Sequence, residues 1–325
     1  MRVLVAGGAG YIGGVVTEQL LAAGNEVTVL DSLVKGYRAA VPGRAQFVLG
    51  DIRDRPLLDS VLSAAPYDAV MHFAAFIEAG ESMRNPGIYF QNNVAGSANL
   101  IEAAVAHGIQ RFVFSSSAAV YASKDTPIEE SDPLAPANAY GATKLMVEQI
   151  LDWYERVHGL HYAALRYFNA CGATPGHGEA HHPETHLIPL VLQVALDQRE
   201  RVDIYGSDYP TPDGTCIRDY IHVADLSAAH LLALEALADH ARIICNLGNG
   251  AGYSVRQVIE TAREVTGHPI PAREAPRRPG DAPVLVADAG LARQLLGWQP
   301  QIPDLRDIIA DAWEWHRSHP EGYPS

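Results

Sequence analysis

The 325-residue sequence predicts an α/β chain in which a doubly wound parallel sheet is joined to a smaller α+β domain. Three observations carry this expectation. From Met1 to about Arg166, short β-branched runs alternate with longer amphipathic stretches, the pattern of strands linked by crossover helices. A glycine-rich turn joins the first run to the first amphipathic stretch, where an open α/β sheet binds its ligand. Beyond Tyr167 the texture changes to longer Gly-, Pro- and His-containing segments, which suit a binding surface.

In chain order, the predicted strands are Arg2 to Ala6, Glu26 to Leu30, Gln46 to Leu49, Ala69 to Phe73, Arg111 to Ser115 and Tyr162 to Tyr167. Between them, helices are expected over Ile12 to Ala23, Leu57 to Ala65, Gly87 to His107 and Tyr140 to His158. The second half has helical periods at Leu187 to Asp197, Ala224 to Leu237, Val255 to Val265 and Leu305 to Arg317. The expected division is a nucleotide-binding domain over 1–168, with 221–247 returning to it, and a substrate domain over 169–220 and 248–325.

With 38 acidic against 24 basic residues, a formal charge of −14 and no basic stripe, the chain lacks an electrostatic footprint for nucleic acid. No apolar run approaches the roughly 18 to 20 residues of a membrane span, so a cytoplasmic protein is expected. Cys171, Cys216 and Cys245 form no CxxC pair and read as buried free thiols. His177, His181, His182 and His186 include one helical ligand spacing, but Pro183 interrupts it and no cysteine completes a set, so no metal is expected.

Gly7, Gly10 and Gly13 fall in the turn after the first strand, in the spacing G-x-x-G-x-x-G with Tyr11 and Ile12 between the last two. Without side chains there, backbone amides and a helix N-terminus can meet a pyrophosphate, the Rossmann arrangement. Asp31, 18 residues past Gly13 at the end of the second strand, suits the adenosine ribose hydroxyls and would repel a 2′-phosphate. The expected cofactor is therefore NAD, with Lys35 the one nearby cation that tempers the choice over NADP. Asp51 and Ile52, after the third strand, are placed to border the adenine.

Tyr140 and Lys144, in Tyr140-Gly-Ala-Thr-Lys144, share one helical face at one turn, and a lysine cation there is expected to acidify the phenol into a base. Ser115-Ser-Ser117 follows the fifth strand at the ligand-binding edge, where a hydroxyl can meet a substrate oxygen.

With these residues in view, the chain resembles the extended short-chain dehydrogenase/reductases, and among them the UDP-glucose 4-epimerases. The resemblance spans nearly the whole chain. Besides the glycine and Tyr–Lys motifs, it rests on His72-Phe-Ala-Ala-Phe76, Gly80-Glu-Ser82, Asn92-Asn93-Val94, Ser115 to Tyr121, Leu165-Arg-Tyr-Phe-Asn169, Asp208 to Thr215, Arg218 to Asp225 and Arg277-Arg-Pro-Gly-Asp281. It implies epimerisation of a UDP-hexose at carbon 4 with bound NAD, and a homodimer built from the helices around Gly87 to His107 and Tyr140 to His158.

By the same resemblance, Ser117 is the catalytic hydroxyl, Tyr140 the base, and Lys144 its partner and a contact of the nicotinamide ribose. Tyr167 would flank the nicotinamide and Ser115 border the cofactor, with Asn93 supporting it and Phe73 and Ala74 lining the pyrophosphate and ribose. UDP contacts are implied for Asn169, His186, Tyr205, Arg218, Arg278 and Asp281, His186 standing where many relatives carry asparagine. Leu285 occupies a position that gates N-acetylated sugars, and its modest size suggests room for UDP-N-acetylglucosamine. Ala118-Ala119 departs from the Thr-Asp-Glu run a 4,6-dehydratase would need, which disfavours dehydration. A pentose or uronate nucleotide is the alternative substrate. A noncatalytic NAD-dependent sensor is the rival of another class, though it could dispense with the serine, tyrosine and lysine.

Overall fold

The computed structural model describes residues 1–278 and 281–324. Pro279 and Gly280 of the Arg277–Asp281 segment lie outside the described residues.

The central sheet contains β1 (Arg2–Ala6), β2 (Glu26–Asp31), β3 (Gln46–Leu49), β4 (Ala69–His72), β5 (Arg111–Ser117), β6 (His161–Tyr167) and the later strand Arg242–Leu247. Seven strands run parallel, in the order Arg242–Leu247, β6, β5, β4, β1, β2, β3. Strand order reverses between β1 and β4, leaving a crevice at their carboxyl ends.

Both faces of this sheet are buried, which is why β1 reads as a continuous apolar run. Val3 and Val5 pack toward α1 (Tyr11–Ala22) and the Val223–Ala236 helix, sharing a core with Val16, Leu20, Leu226 and Ala233. Leu4 and Ala6 point the other way, among Leu58, Leu100, Val147 and Leu151. A separate core brings Ile188, Val191 and Leu192 against Val258, Ile259, Ile308 and Ile309.

The expected helix over Gly87 to His107 is divided. Pro86–Tyr89 makes one α-turn, Phe90–Gly96 is π-helical, and Ser97–Ala106 resumes the α-helix. The wider turn lets Asn93 reach Phe76, accepting from its N–H and donating to its carbonyl, both at 2.9 Å. The expected strand over Arg111 to Ser115 extends to Ser117, because Ser116 and Ser117 stay in register with Arg166 and Tyr167.

Segment 172–186 crosses from the second core onto the first half and is tied there. The Tyr11 hydroxyl donates to the Gly172 carbonyl at 2.6 Å, that of Tyr37 to Ala180 at 2.7 Å, and Lys35 Nζ to His182 at 3.3 Å. His177 Nε2 lies 2.8 Å from the Ala40 carbonyl. All three cysteines are free and buried, and among the described residues no helix is long and apolar enough to cross a membrane.

Candidate active site

The turn after β1 is closed by glycines for a steric reason. A Cβ on Gly7 would lie 2.4 Å from the Ala74 nitrogen, and one on Gly13 would lie 2.2 Å from the Gly7 carbonyl oxygen. Gly7 also sits at φ +85°, where an L side chain is strained. Gly10 caps α1 with no side-chain hydrogen bond, leaving the first amides of the helix to face the cleft. This backbone cradle suits a dinucleotide's pyrophosphate. Gly7, Gly10, Tyr11, Ile12, Gly13, Asp31, Asp51, Ile52, Phe73, Ala74, Ser115, Ser117, Tyr140, Lys144 and Tyr167, all singled out from sequence, line one cleft of about 310 Å³.

Asp31 ends β2 with its carboxylate accepting from the amides of Ala9 at 3.0 Å and Leu33 at 2.8 Å. Burial raises its pKa and those two bonds pull it back. Lys35 is committed elsewhere: its Nζ lies 2.6 Å from Glu78 Oε1, so the cation that could have welcomed a 2′-phosphate is neutralised. Asp51 is likewise paired, with Arg53 at 2.6 Å. Asn93, expected to support the cofactor side, is not among the residues lining the cleft: its amide serves the backbone of Phe76, which lines it, and Thr143, while Asn92 lines the wall.

The Ala139–His158 helix begins at an Asn138 cap, whose side chain accepts from Gly141 N–H at 2.8 Å, and the Tyr140 amide donates to Ser82 Oγ at 3.1 Å. These contacts aim Tyr140 and Lys144 at the end of β5. Lys144 Nζ donates to the Ser115 carbonyl at 2.7 Å and lies 3.3 Å from its Oγ, 4.9 Å from the Phe114 ring centroid and 5.8 Å from that of Tyr140.

Burial works against the acidified phenol expected from sequence. Burial raises the Tyr140 pKa, with the Ser117 hydroxyl, as hydrogen-bond partner, pulling it down and Glu78 pushing it up. Burial also depresses Lys144 to about 7, against the opposing carboxylate of Glu148. Spacing along the helix fixes proximity, but a fully buried ammonium pays for its own desolvation and cannot act as an unconditional cation.

Asn169 and His186 also border the cleft. Asn169 donates to the Asp219 carbonyl at 2.8 Å. His186 Nδ1 lies 2.7 Å from Glu179 and 2.9 Å from Glu184, carboxylates that drive its pKa up. Together with His181 these side chains bring their donor atoms within 4.8 Å of one another. His177 turns away to Glu18, 3.0 Å distant.

Tyr205, Arg218, Arg278, Asp281 and Leu285 are not among the cleft's lining residues. Leu285 pairs in register with Arg218, whose Nη2 lies 3.6 Å from Asp281 Oδ1, and the Arg278 guanidinium stacks 3.9 Å from the Tyr205 ring centroid. Leu285 also packs on the cluster containing Ala118 and Phe168, and Phe168 lines the cleft. Phe76, Glu78, Asn92, Glu179 and His181 line the cleft without having been selected from sequence. For Phe76 and Asn92, the signal available was the quoted His72–Phe76 and Asn92–Val94 motifs.

Fold and site define an enzyme that uses a nicotinamide dinucleotide, with a serine, a tyrosine and a lysine at the sheet's carboxyl edge. The chain belongs to the NAD dependent epimerase/dehydratase family, whose model matches residues 3–248. A UDP-glucose 4-epimerase of Streptomyces lividans is 54% identical over 324 residues, covering 99% of this chain and 98% of the relative. A crystal structure of a UDP-glucose 4-epimerase superposes with a TM-score of 0.97 at 47% identity, covering 100% of both chains. That of a UDP-glucose-4-epimerase from Stenotrophomonas maltophila, with bound NAD and formylated UDP-arabinopyranose, gives 0.95 at 42% identity over 99% of both.

Proposed function

We infer that this chain interconverts UDP-glucose and UDP-galactose as an NAD-dependent 4-epimerase. The observation that carries the reading is the convergence of Ser117, Tyr140 and Lys144 beside the glycine cradle, in a chain matching UDP-glucose 4-epimerases from end to end.

When bound, NAD supplies reversible acceptance of a hydride, which suits a carbon whose hydrogen is not acidic. Gly7, Gly10 and Gly13 hold the pyrophosphate, Asp31 the ribose, and Lys144 and Tyr167 the nicotinamide end. Tyr140 takes the proton of the sugar's 4-hydroxyl as carbon 4 is oxidised, and returns it when carbon 4 is reduced from its other face. Ser117 donates a hydrogen bond to the carbonyl oxygen that develops. Asn169, His186, Tyr205, Arg218, Arg278 and Asp281 anchor UDP while the 4-keto sugar turns, the arginines offering bidentate contacts to the diphosphate. Asn93 acts from behind the wall.

The same reading divides the chain into 1–168 with 221–247 for the cofactor, and 169–220 with 248–325 for UDP. It takes the enzyme as a cytoplasmic homodimer. Exposed Ile88, Phe90, Met146, Trp153 and Val157, on and beside the two helices expected to form that contact, support the pairing. Leu285 leaves the N-acetylated hexose nucleotides within range.

Purified protein is incubated with UDP-galactose and, separately, UDP-N-acetylgalactosamine without added cofactor, and the products are resolved by chromatography. UDP-glucose from the first is the expected outcome, and product from the second follows from Leu285. Silence toward both with NAD added overturns the hexose reading and favours a pentose or uronate nucleotide.

A further inference from the structure

Glu148 lies behind the catalytic strand ends and is not among the residues lining the cleft. Its carboxylate is 4% exposed and tied to two strands at once. Oε1 accepts from Ser116 Oγ at 2.5 Å and Arg166 Nε at 2.9 Å, and Oε2 accepts from Arg166 Nη2 at 2.5 Å. Ser116 and Arg166 are register partners, and the next pair along β5 and β6 is Ser117 with Tyr167. One side chain therefore clamps the two strands a single residue before Ser117 and Tyr167, both of which line the cleft.

The clamp extends sideways. Arg166 Nη1 donates to the Tyr121 hydroxyl at 2.8 Å, which donates to Asn246 Oδ1 at 2.7 Å, and Asn246 is Arg166's register partner on the following strand. All five side chains are buried. Glu148 also follows Lys144 by one helical turn, as Lys144 follows Tyr140, so the three share one face. It is the carboxylate that favours the charged form of Lys144, while the bidentate arginine keeps Glu148 itself compensated.

We propose that Glu148 is a positioning residue of the epimerisation: its carboxylate fixes the β5–β6 ends so that Ser117 is held against Tyr140, and it steadies the Lys144 ammonium from one turn below. A buried ion pair alone would be a poor reason for this arrangement, since apolar packing of equal volume often serves stability as well. What packing could not supply is an acceptor for the Ser116 hydroxyl and a negative charge one turn from Lys144. The proposal rests on the roles given above to Ser117, Tyr140 and Lys144.

Steady-state kcat and KM for UDP-galactose are measured for Glu148→Gln, Ser116→Ala and Tyr121→Phe, with NAD content and melting temperature recorded for each. Glu148→Gln is expected to lower kcat about tenfold with KM changed less than about twofold, since the lost bonds act on the reacting geometry and not on UDP. Ser116→Ala keeps the ion pair, and so the fold, and should lower kcat about threefold. Tyr121→Phe perturbs the network at its far side and should lower melting temperature while kcat stays within about twofold. If Glu148→Gln does not fold, Glu148→Gln with Arg166→Gln removes the uncompensated charge and takes its place. A wild type that turns over while Glu148→Gln and Ser116→Ala retain full kcat overturns this proposal alone. Equal kcat losses in all three variants that follow melting temperature also overturn it, and a wild type inactive on every sugar nucleotide overturns the functional reading with it.

Discussion

Lys144→Met tests the charge state of the active site most directly. Lys144 loses its proton near pH 7 because it is 3% exposed, and around it stand Tyr140 and Glu148 on its own helix, Ser115 and Phe114 on β5, and a His72 held neutral by burial on β4. With Lys144 Nζ 5.8 Å from the Tyr140 ring centroid, the two are close enough to titrate together. With both protonated the pair has no base. Loss of one proton, near pH 7, admits the form in which Tyr140 is a phenolate and Lys144 an ammonium, so kcat should rise through about pH 7 and level off above it. In Lys144→Met the only proton left is that of the phenol, whose ordinary pKa of 10.0 is raised by burial. The rising limb should then move from about pH 7 to above pH 10, a shift of at least about three pH units, equivalent to about 4 kcal/mol. The assay is the pH dependence of UDP-galactose conversion, normalised to NAD released on denaturation so that weaker cofactor binding is not counted. A variant whose limb stays near pH 7 would refute the coupling and return the base to another group.

Gly13→Ala places a methyl 2.2 Å from the Gly7 carbonyl oxygen and should cost about 1–3 kcal/mol and most of the NAD content, measured by melting temperature and by cofactor release. Asp31→Ser removes a ribose acceptor without freeing Lys35 from Glu78, so the thermal shift given by NAD should shrink with no matching gain from NADP. Leu285→Tyr fills the space beside Ala118 and Phe168, and should suppress turnover of UDP-N-acetylgalactosamine more than tenfold relative to UDP-galactose in a competition assay. Trp153→Glu, at a position 62% exposed, should shift the protein toward monomer in size-exclusion chromatography if that helix carries the subunit contact.

The sheet was legible because two-sided burial writes itself as β-branched runs, and the cradle because only glycine fits beside Ala74 and the Gly7 carbonyl. Tyr140 and Lys144 were legible as a pair on one helical face, and their roles through the family resemblance. How strongly burial opposes their charged forms was not, since it follows from depth, and depth is settled by Phe114, His72 and the strands packed around them. The π-helical turn at Phe90–Gly96 left no mark in the apolar pattern, so the bonds by which Asn93 holds the Phe76 backbone could not be read from sequence. Glu148 and Arg166 are 18 residues apart, and nothing in their spacing pairs them; the packing of the Ala139–His158 helix on β5 and β6 does.

The bonds that tie segment 172–186 to the first half bear on how fast anything leaves the cleft. Tyr11, Lys35, Tyr37 and the Ala40 carbonyl each hold this segment by a separate hydrogen bond, and Glu179, His181 and His186 within it form part of the cleft wall. Moving this part of the wall takes the loss of several bonds together, a step separate from breaking any single ligand contact. For a catalyst whose dinucleotide ends each cycle in the oxidation state in which it began, slow exchange carries no kinetic penalty. An enzyme that must release a reduced dinucleotide at every turnover could not be built on such a strap without slowing itself.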